Sequence, residues 1–401
     1  MEIAPPSAST KRTVCRTYKY RIYPTAKQAQ TLEIQLRACC DIYNAALEQR
    51  RWAYRKTGRT LRSGDQQAEL TAVRAAGIFP KNMNCYAQRL VLRRLDQAFA
   101  AFFRRIRNGE KPGYPRFRSY TRYNSIVWGG SCGVSFTGNR VRLQVIGSVR
   151  VRYHRDLPES AEIREITVCR KGGHWYCCVC CRIPLEQTVS IGLEIGVDLG
   201  VRNFITISTG ETISGFSFDR ARLRRASRRI SRRKRNSNRR RKAAAILARH
   251  SQRIVRHRRD YQHKLSRQLV EVCSLIALED LDISNMRRST RGTLEKPGKN
   301  VRQKAGLNRR MADQSWAQLI TFLEYKAEEA GTRIVKVNPR NTSKVCSNCG
   351  TKCEPGPVWF LCSECGLRID RDVNAARNIL ALGLGRSLQA PTVEAEAHAV
   401  A

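Results

Sequence analysis

Three acids and four cysteines carry most of the chemistry legible in this chain. Asp198 closes the apolar run IGVD before a glycine turn, Glu279 closes SLIALE, and Asp372 stands in DRDVNAARNIL, where a helix begins. A carboxylate set against a buried strand costs free energy unless it is paired or holds a cation. Any one of these acids alone could cap a helix or pair with one of the many arginines. Three in such settings point instead to a shared site for hard divalent ions. Mg2+ takes carboxylate oxygen and water, and two such ions can position an attacking water and stabilise the leaving 3′ oxygen of a phosphodiester. Cys346, Cys349, Cys362 and Cys365 follow the spacing C-x2-C-x12-C-x2-C. Each pair is a tight knuckle, and together they offer four thiolates to one tetrahedral Zn2+ with a structural role. Cys353 falls outside the pattern and is read as a bystander. A passive nucleic-acid-binding module can also carry such a ribbon, so the cysteines alone do not define an enzyme.

The composition narrows the partner. The 401 residues hold 75 Lys and Arg against 33 Asp and Glu, a formal net charge of +42. That excess favours a polyanion, with nucleic acid the default. A membrane surface is the weaker candidate, since there is no long apolar run, lipidation motif or signal peptide. Sixteen cysteines on a long chain without an export signal place it in a reducing, cytoplasmic compartment, with four on metal and the others mostly buried thiols. In YCCVCC, neighbours on a strand alternate faces and do not converge on one ion, so Cys177, Cys178, Cys180 and Cys181 read as small core residues.

Other segments must position these residues. VCRTYKYRIYP (14–24) reads as a strand, and Thr25 with Gln28 as a capping box for a helix over 26–55. Its apolar stripe is Leu32, Leu36, Cys39, Tyr43 and Leu47. A second helical block spans 82–107, with Leu90, Leu92, Leu95, Phe99, Phe102 and Phe103 as its stripe, and GRTLRSGDQQ and AAGIFPKN read as loops between the two. From about 115 the chain is β-rich, with turns at Gly138-Asn139 and Gly172-Gly173. These strands pair most simply with 14–24 in a β-barrel.

The third unit begins with a hairpin over 193–215. An arginine-dense helical stretch follows over 218–268. A basic loop at 285–310, carrying Gly292, Gly298 and Gly306, has the length and glycine content of a mobile lid. A helix over 312–330 and a strand, TRIVKVNP, lead to the ribbon. The expected organisation is α+β and multidomain. It comprises a disordered lead (1–13), a barrel (14–25 and 112–186) with a helical insertion (26–111), an α/β unit (190–344 and 367–384) interrupted by the ribbon (345–366), and a disordered tail (385–401).

GVDLGVRNF, ALEDL and the CSNCG…CSECG…DRDVNAARNI run resemble the RuvC-type, RNase H-like nuclease domain of TnpB proteins, which insertion sequences encode and which are related to miniature type V CRISPR effectors. TYKYRIYPTAKQ…YNAAL and YPRFRSY resemble the openings of the same proteins, so the likeness spans about 14–383. The resemblance implies a guide-RNA-dependent endonuclease acting on double-stranded DNA. Asp198, Glu279 and Asp372 would hold two catalytic Mg2+ ions, and the ribbon would be an insertion that fixes where Asp372 points. Asp370 and Asn374 are candidate supports of that site. The barrel and its helices would read a short DNA motif, for which Asn82, Asn84 and Gln88 are candidates through bidentate contacts to adenine; plain surface amides are the alternative. Tyr18, Tyr20 and Tyr23 could contact RNA or sit in a core. The arginine run is expected to follow RNA phosphates, giving steeply salt-dependent binding. Two other readings stay open: a CRISPR effector of the same mechanism, and a non-cleaving RNA-guided or zinc-ribbon regulator.

Overall fold

The computed structural model describes residues 12–78, 83–129, 133–185 and 190–388. The chain divides into two compact units, Met1–Glu186 and Gln187–Ala401.

The first unit opens with β1 (Arg12–Tyr23), whose alternate residues Tyr18, Tyr20 and Ile22 face inward. Helix α1 (Ala26–Thr57) then starts at the expected reciprocal cap. Gln28 N donates to Thr25 Oγ1 (3.3 Å) and Thr25 N to Gln28 Oε1 (3.0 Å). All five residues of the expected stripe are buried. Gly58, at φ +65°, ends the helix in the left-handed conformation that a side chain resists.

The loop expected over 58–67 becomes α2 (Ser63–Ala75) partway along, because Arg62 N donates to Asp65 Oδ2 (2.9 Å) and supplies a helix start despite Gly64. Helix α3 (Cys85–Arg107) follows. Strands β2 (Ser125–Gly129), β3 (Val134–Thr137), β4 (Arg140–Leu143), β5 (Gly147–Arg152), β6 (Glu162–Lys171) and β7 (His174–Leu185) complete one antiparallel sheet in the order β2-β6-β7-β1-β5-β4-β3. Gly138-Asn139 and Gly172-Gly173 are the two-residue turns joining β3 to β4 and β6 to β7. One core joins Leu36, Leu47, Leu92 and Leu95 of the helices to Trp128, Val149 and Val179 of the sheet.

On β7, Cys177 and Cys181 face inward while Cys178 and Cys180 lie on the other face, as strand periodicity requires. Outside the ribbon, burial is more mixed than expected. Cys39, Cys40, Cys177, Cys181 and Cys273 are buried, whereas Cys15 and Cys85 are exposed.

The second unit is built on a five-stranded sheet. Strand β8 (Leu193–Asp198) pairs antiparallel with β9 (Ile205–Ile207), which pairs with β10 (Thr212–Ile213), giving the expected hairpin. The arginine-dense stretch breaks at 232–237 into α4 (Arg220–Ser231) and α5 (Asn238–Val272), capped by Asp219 and Ser237. Strand β11 (Cys273–Glu279) lies parallel to both β8 and β12 (Arg333–Val337). Between them come α6 (Ile283–Met286), α7 (Val301–Gln314) and α8 (Trp316–Ala330).

The expected basic loop is therefore shorter than 285–310. Residues 301–310 are helical and Gly306 lies inside α7, while Gly292 and Pro297 form an isolated bridge. Ser315, at φ +54°, separates α7 from α8 within what reads as one helix. The ribbon carries β13 (Trp359–Leu361) and β14 (Arg368–Asp370), and α9 (Arg371–Gly383) follows at once.

Strand β11 is buried on both faces. Leu275 and Ala277 join a core with Ile379 of α9, whereas Ile276 and Leu278 join one with Leu265, Leu269, Leu319 and Leu323 of α5 and α8. Covering helices on both sides explain why β11 reads as a continuous apolar run rather than an alternating one.

Candidate active site and metal centre

Parallel pairing sets two of the acids side by side. Val197 is the register partner of Leu278, so Asp198 and Glu279 are the adjacent last residues of neighbouring strands. The third acid arrives on α9, which packs across β8 and β11. A glycine permits that contact: a Cβ on Gly196 would lie 2.0 Å from the Ala376 carbonyl oxygen. Gly383 does the same at the far end, where a Cβ would lie 2.5 Å from that of Ala277. Two glycines thus let α9 lie flush on the sheet and bring its first turn, with Asp372, to the strand ends.

The three carboxylates share one electrostatic field. Asp198 is pushed up to about 7, first by burial and then by the charges of Glu279 and Asp372, against the opposing pull of Arg371 and the Leu199 N–H. Burial also raises Glu279, and a hydrogen bond from Thr342 partly offsets it. Thr342 Oγ1 lies 2.6 Å from Glu279 Oε1. Arg371 donates to one Asp372 oxygen at 3.2 and 3.1 Å. Half-buried carboxylates of Asp198 and Glu279 and the buried one of Asp372, with oxygen donors only, one arginine among them and a surplus of negative charge, fit hard divalent cations.

The thiols are tightly gathered. The ligand atoms of Cys346, Cys349, Cys362 and Cys365 all lie within 4.8 Å of one another. The Sγ separations are 3.6 Å for Cys346–Cys365 and 3.4 Å for Cys349–Cys362. A tetrahedron with Zn–S bonds of about 2.3 Å has edges of about 3.8 Å, so the quartet fits Zn2+. A hydrogen bond with Thr351 brings the Cys349 thiol down to about 6, and Asn348 lowers Cys365. Cys353 Sγ is 4.0 Å from that of Cys362, beside the quartet rather than within it.

A hydrogen-bonded circuit joins the two centres. Asn374 Nδ2 donates to Val345 O (2.8 Å), and Ser347 N donates to Asn374 Oδ1 (2.9 Å). Asn378 Nδ2 donates to Thr342 O (2.8 Å) and Val345 O (2.7 Å). The segment 342–347 therefore holds Glu279 at one end, starts the cysteine ribbon at the other, and is fastened to the helix bearing Asp372.

Asn374, expected as a support of the acids, supports this segment, while Asp370 caps α9 by accepting from Asp372 N (2.8 Å). Thr342, Asn378, Arg371 and Gly196 were not among the residues singled out in the sequence. Asn378 had one visible signal, since it follows Asn374 at i+4 and shares its helix face.

The residues expected to read DNA fare differently. Asn82 lies outside the described residues. Asn84 is 3% exposed, caps α3 through Ala87 N and donates to Gln144 Oε1 (2.8 Å); Gln88 is 1% exposed. Both face the interior of the first unit, where a base edge does not reach them. Tyr18 and Tyr20 are core residues, and Tyr23 is 40% exposed. In the arginine run, Arg225, Arg228, Arg229, Arg232 and Arg233 line an open cleft of about 570 Å3.

Strand-end acids linked to a cysteine quartet, on a mixed α/β fold with this charge, fit the class of nucleic-acid-processing proteins. Three family models match: "Helix-turn-helix domain" over residues 14–59, "Probable transposase" over 176–290 and "Cas12f1-like, TNB domain" over 316–379. In this chain, 14–59 is a strand followed by one long helix. A Streptomyces pristinaespiralis protein named "Putative RNA-guided DNA endonuclease" is 33% identical over 386 residues, covering 93% of this chain and 90% of the relative. InsQ of Escherichia coli strain K12, with the same description, is 28% identical over 92% of each. A chain in "Cryo-EM structure of the Cas12f1-sgRNA-target DNA complex" superposes with a TM-score of 0.55 at 16% identity, covering 92% of this chain and 99% of that one. The chain belongs to the TnpB family of RNA-guided DNA endonucleases.

Proposed function

We propose that this protein is an RNA-guided DNA endonuclease that hydrolyses target phosphodiesters next to a short motif, with Asp198, Glu279 and Asp372 holding two Mg2+ ions and the cysteine quartet one structural Zn2+. The observation that carries the reading is the meeting of three acids, from β8, β11 and α9, in a single buried field. The second unit is then an RNase H-like, RuvC-type nuclease domain, and the first a barrel with inserted helices.

Asp198, Glu279 and Asp372 would hold the metal pair, which would supply activation of the attacking water and charge neutralisation at the leaving 3′ oxygen, leaving 5′-phosphate and 3′-hydroxyl ends. Strand ends in register hold Asp198 and Glu279 at fixed separation, and Thr342 orients one Glu279 oxygen. Asn374 and Asn378 keep the Asp372 helix against the segment that leads into the ribbon. Arg225, Arg228, Arg229, Arg232 and Arg233 bind phosphates of guide RNA or of the guide–target duplex without reading sequence, which base pairing supplies. The site requires no small-molecule substrate, and among the described residues no helix is long and apolar enough to cross a membrane.

The test is cleavage of a plasmid library by the purified chain with its copurifying RNA. Linear product with Mg2+, lost with EDTA and in Asp198→Asn, is the expected result. Stable RNA-programmed binding without cleavage under any divalent metal would replace this reading with that of a regulator.

A further inference from the structure

The apolar stripe of α3 runs on beyond the core that it serves. Leu92 and Leu95 are buried, but Phe103, two turns further, is 51% exposed. The aromatic surface continues onto the following loop, where Tyr114 is 45% and Phe117 50% exposed. These rings form one contiguous strip. Phe102 meets Phe103 (5.2 Å between centroids) and the edge of Tyr114 (5.3 Å, 76°), and Phe99 meets Tyr114 at 5.6 Å and 88°. The Arg51 guanidinium of α1 bridges the strip, 5.9 Å from the Tyr114 ring centre and 5.4 Å from that of Phe117.

Charge around the strip is predominantly positive. From 101 to 120 the chain carries Arg104, Arg105, Arg107, Lys111, Arg116 and Arg118 against Glu110 alone. Asp96, nearby on α3, is already paired with Arg50 (2.7 Å). A contiguous exposed aromatic surface is costly in water and marks an interaction site. Rings interleaved with guanidinium groups suit unpaired nucleotides, whose bases stack on the rings while their phosphates meet the cations. A second copy of this chain would bring the same arginines to the contact and meet like charge.

We infer that Phe103, Tyr114 and Phe117, with Arg51, form a stacking platform for unpaired nucleotides of the bound RNA. The inference rests on the reading of the chain as RNA-guided. On that reading the guide is bound before target and a displaced DNA strand only afterwards, so RNA is the occupant proposed and the DNA strand is an arm of the test.

The test measures affinity of the full chain for a mixed-sequence single-stranded RNA of about a dozen nucleotides, the same sequence as DNA, and its RNA duplex. Tyr114→Ala and Phe117→Ala are each expected to weaken single-stranded RNA binding by roughly 5- to 150-fold, the range for one lost base stack. The salt slope should stay unchanged, since no phosphate contact is removed. Duplex binding should also stay unchanged, and Tyr114→Trp should restore the single-strand affinity. Unchanged single-strand affinity in both variants, an equal loss on the duplex, a larger loss on the DNA strand, or loss of a self-association seen in the parent chain by sedimentation would each overturn the platform. An unaltered parent chain that binds none of the three probes would instead remove the RNA-guided reading itself.

Discussion

Asp198→Asn should make the metal-free protein more stable while abolishing cleavage. The native carboxylate is raised from 3.8 to about 7 by burial and by its two acidic neighbours. A group whose folded value lies above its unfolded one stabilises the fold fully below the unfolded value. That contribution is lost as pH rises through the folded value. The window therefore runs from about pH 4 to pH 7. At 1.36 kcal/mol per unit, the roughly three-unit rise amounts to about 4 kcal/mol of destabilisation at pH 8 and about 2 kcal/mol at pH 5. Asparagine keeps the shape and removes the charge. In EDTA at pH 8 the variant should melt about 10 °C higher, taking roughly 2–4 °C per kcal/mol for a unit of this size. At pH 5 the gap should be about half as large. Added Mg2+ should close or reverse it, because the parent chain binds the ion in its folded state alone. Denaturation in EDTA at the two pH values, with and without excess Mg2+, decides the matter. A variant no more stable than the parent at pH 8, or a gap independent of pH, would refute the account of three acids confined in one field.

The other predictions concern how that field is held. Gly196→Ala should destabilise the second unit by roughly 1–3 kcal/mol, read from its urea midpoint, and reduce cleavage, because a methyl cannot fit against the Ala376 carbonyl. Thr342→Val removes a charge-assisted hydrogen bond worth about 1.5–3 kcal/mol. It should raise the Mg2+ concentration needed for half-maximal cleavage about 10- to 100-fold, with Thr342→Ser restoring it. Cys346→Ser should empty the ribbon of zinc, measured by elemental analysis, and depress cleavage by loosening segment 342–347, while RNA binding persists. Full cleavage by the zinc-free variant would show that the circuit through Asn374 and Asn378 does not position the acids.

Much of this protein is local, and the sequence determines local features directly. The Thr25–Gln28 cap, the stripe from Leu32 to Leu47, both glycine turns and the cysteine spacing depend on residues within a turn or two of one another. Their neighbours in the chain are enough to specify them. Asp198 and Glu279 stood out for a related reason, since an acid ending an apolar run is anomalous wherever the strand goes, and Asp372 stood out at a helix start beside the cysteine spacing.

Exposure was not legible in the same way. Asn84 and Gln88 read as exposed amides, base-contacting or plain, but the packing of α3 turned both inward, and the same stripe continued outward as Phe103. The helix starting after Arg62 and the one starting at Val301 were hidden by glycines that a cap or a tertiary contact outweighs. What the tertiary structure alone decided was proximity. Parallel pairing of β8 with β11 puts Asp198 beside Glu279, although the two are 81 positions apart in the chain. Two glycines admit α9, and Thr342, Asn374 and Asn378 become partners only once the sheet has formed. Such contacts depend on distances between remote segments, and hydrophobic patterning specifies which face is buried but not what it is buried against.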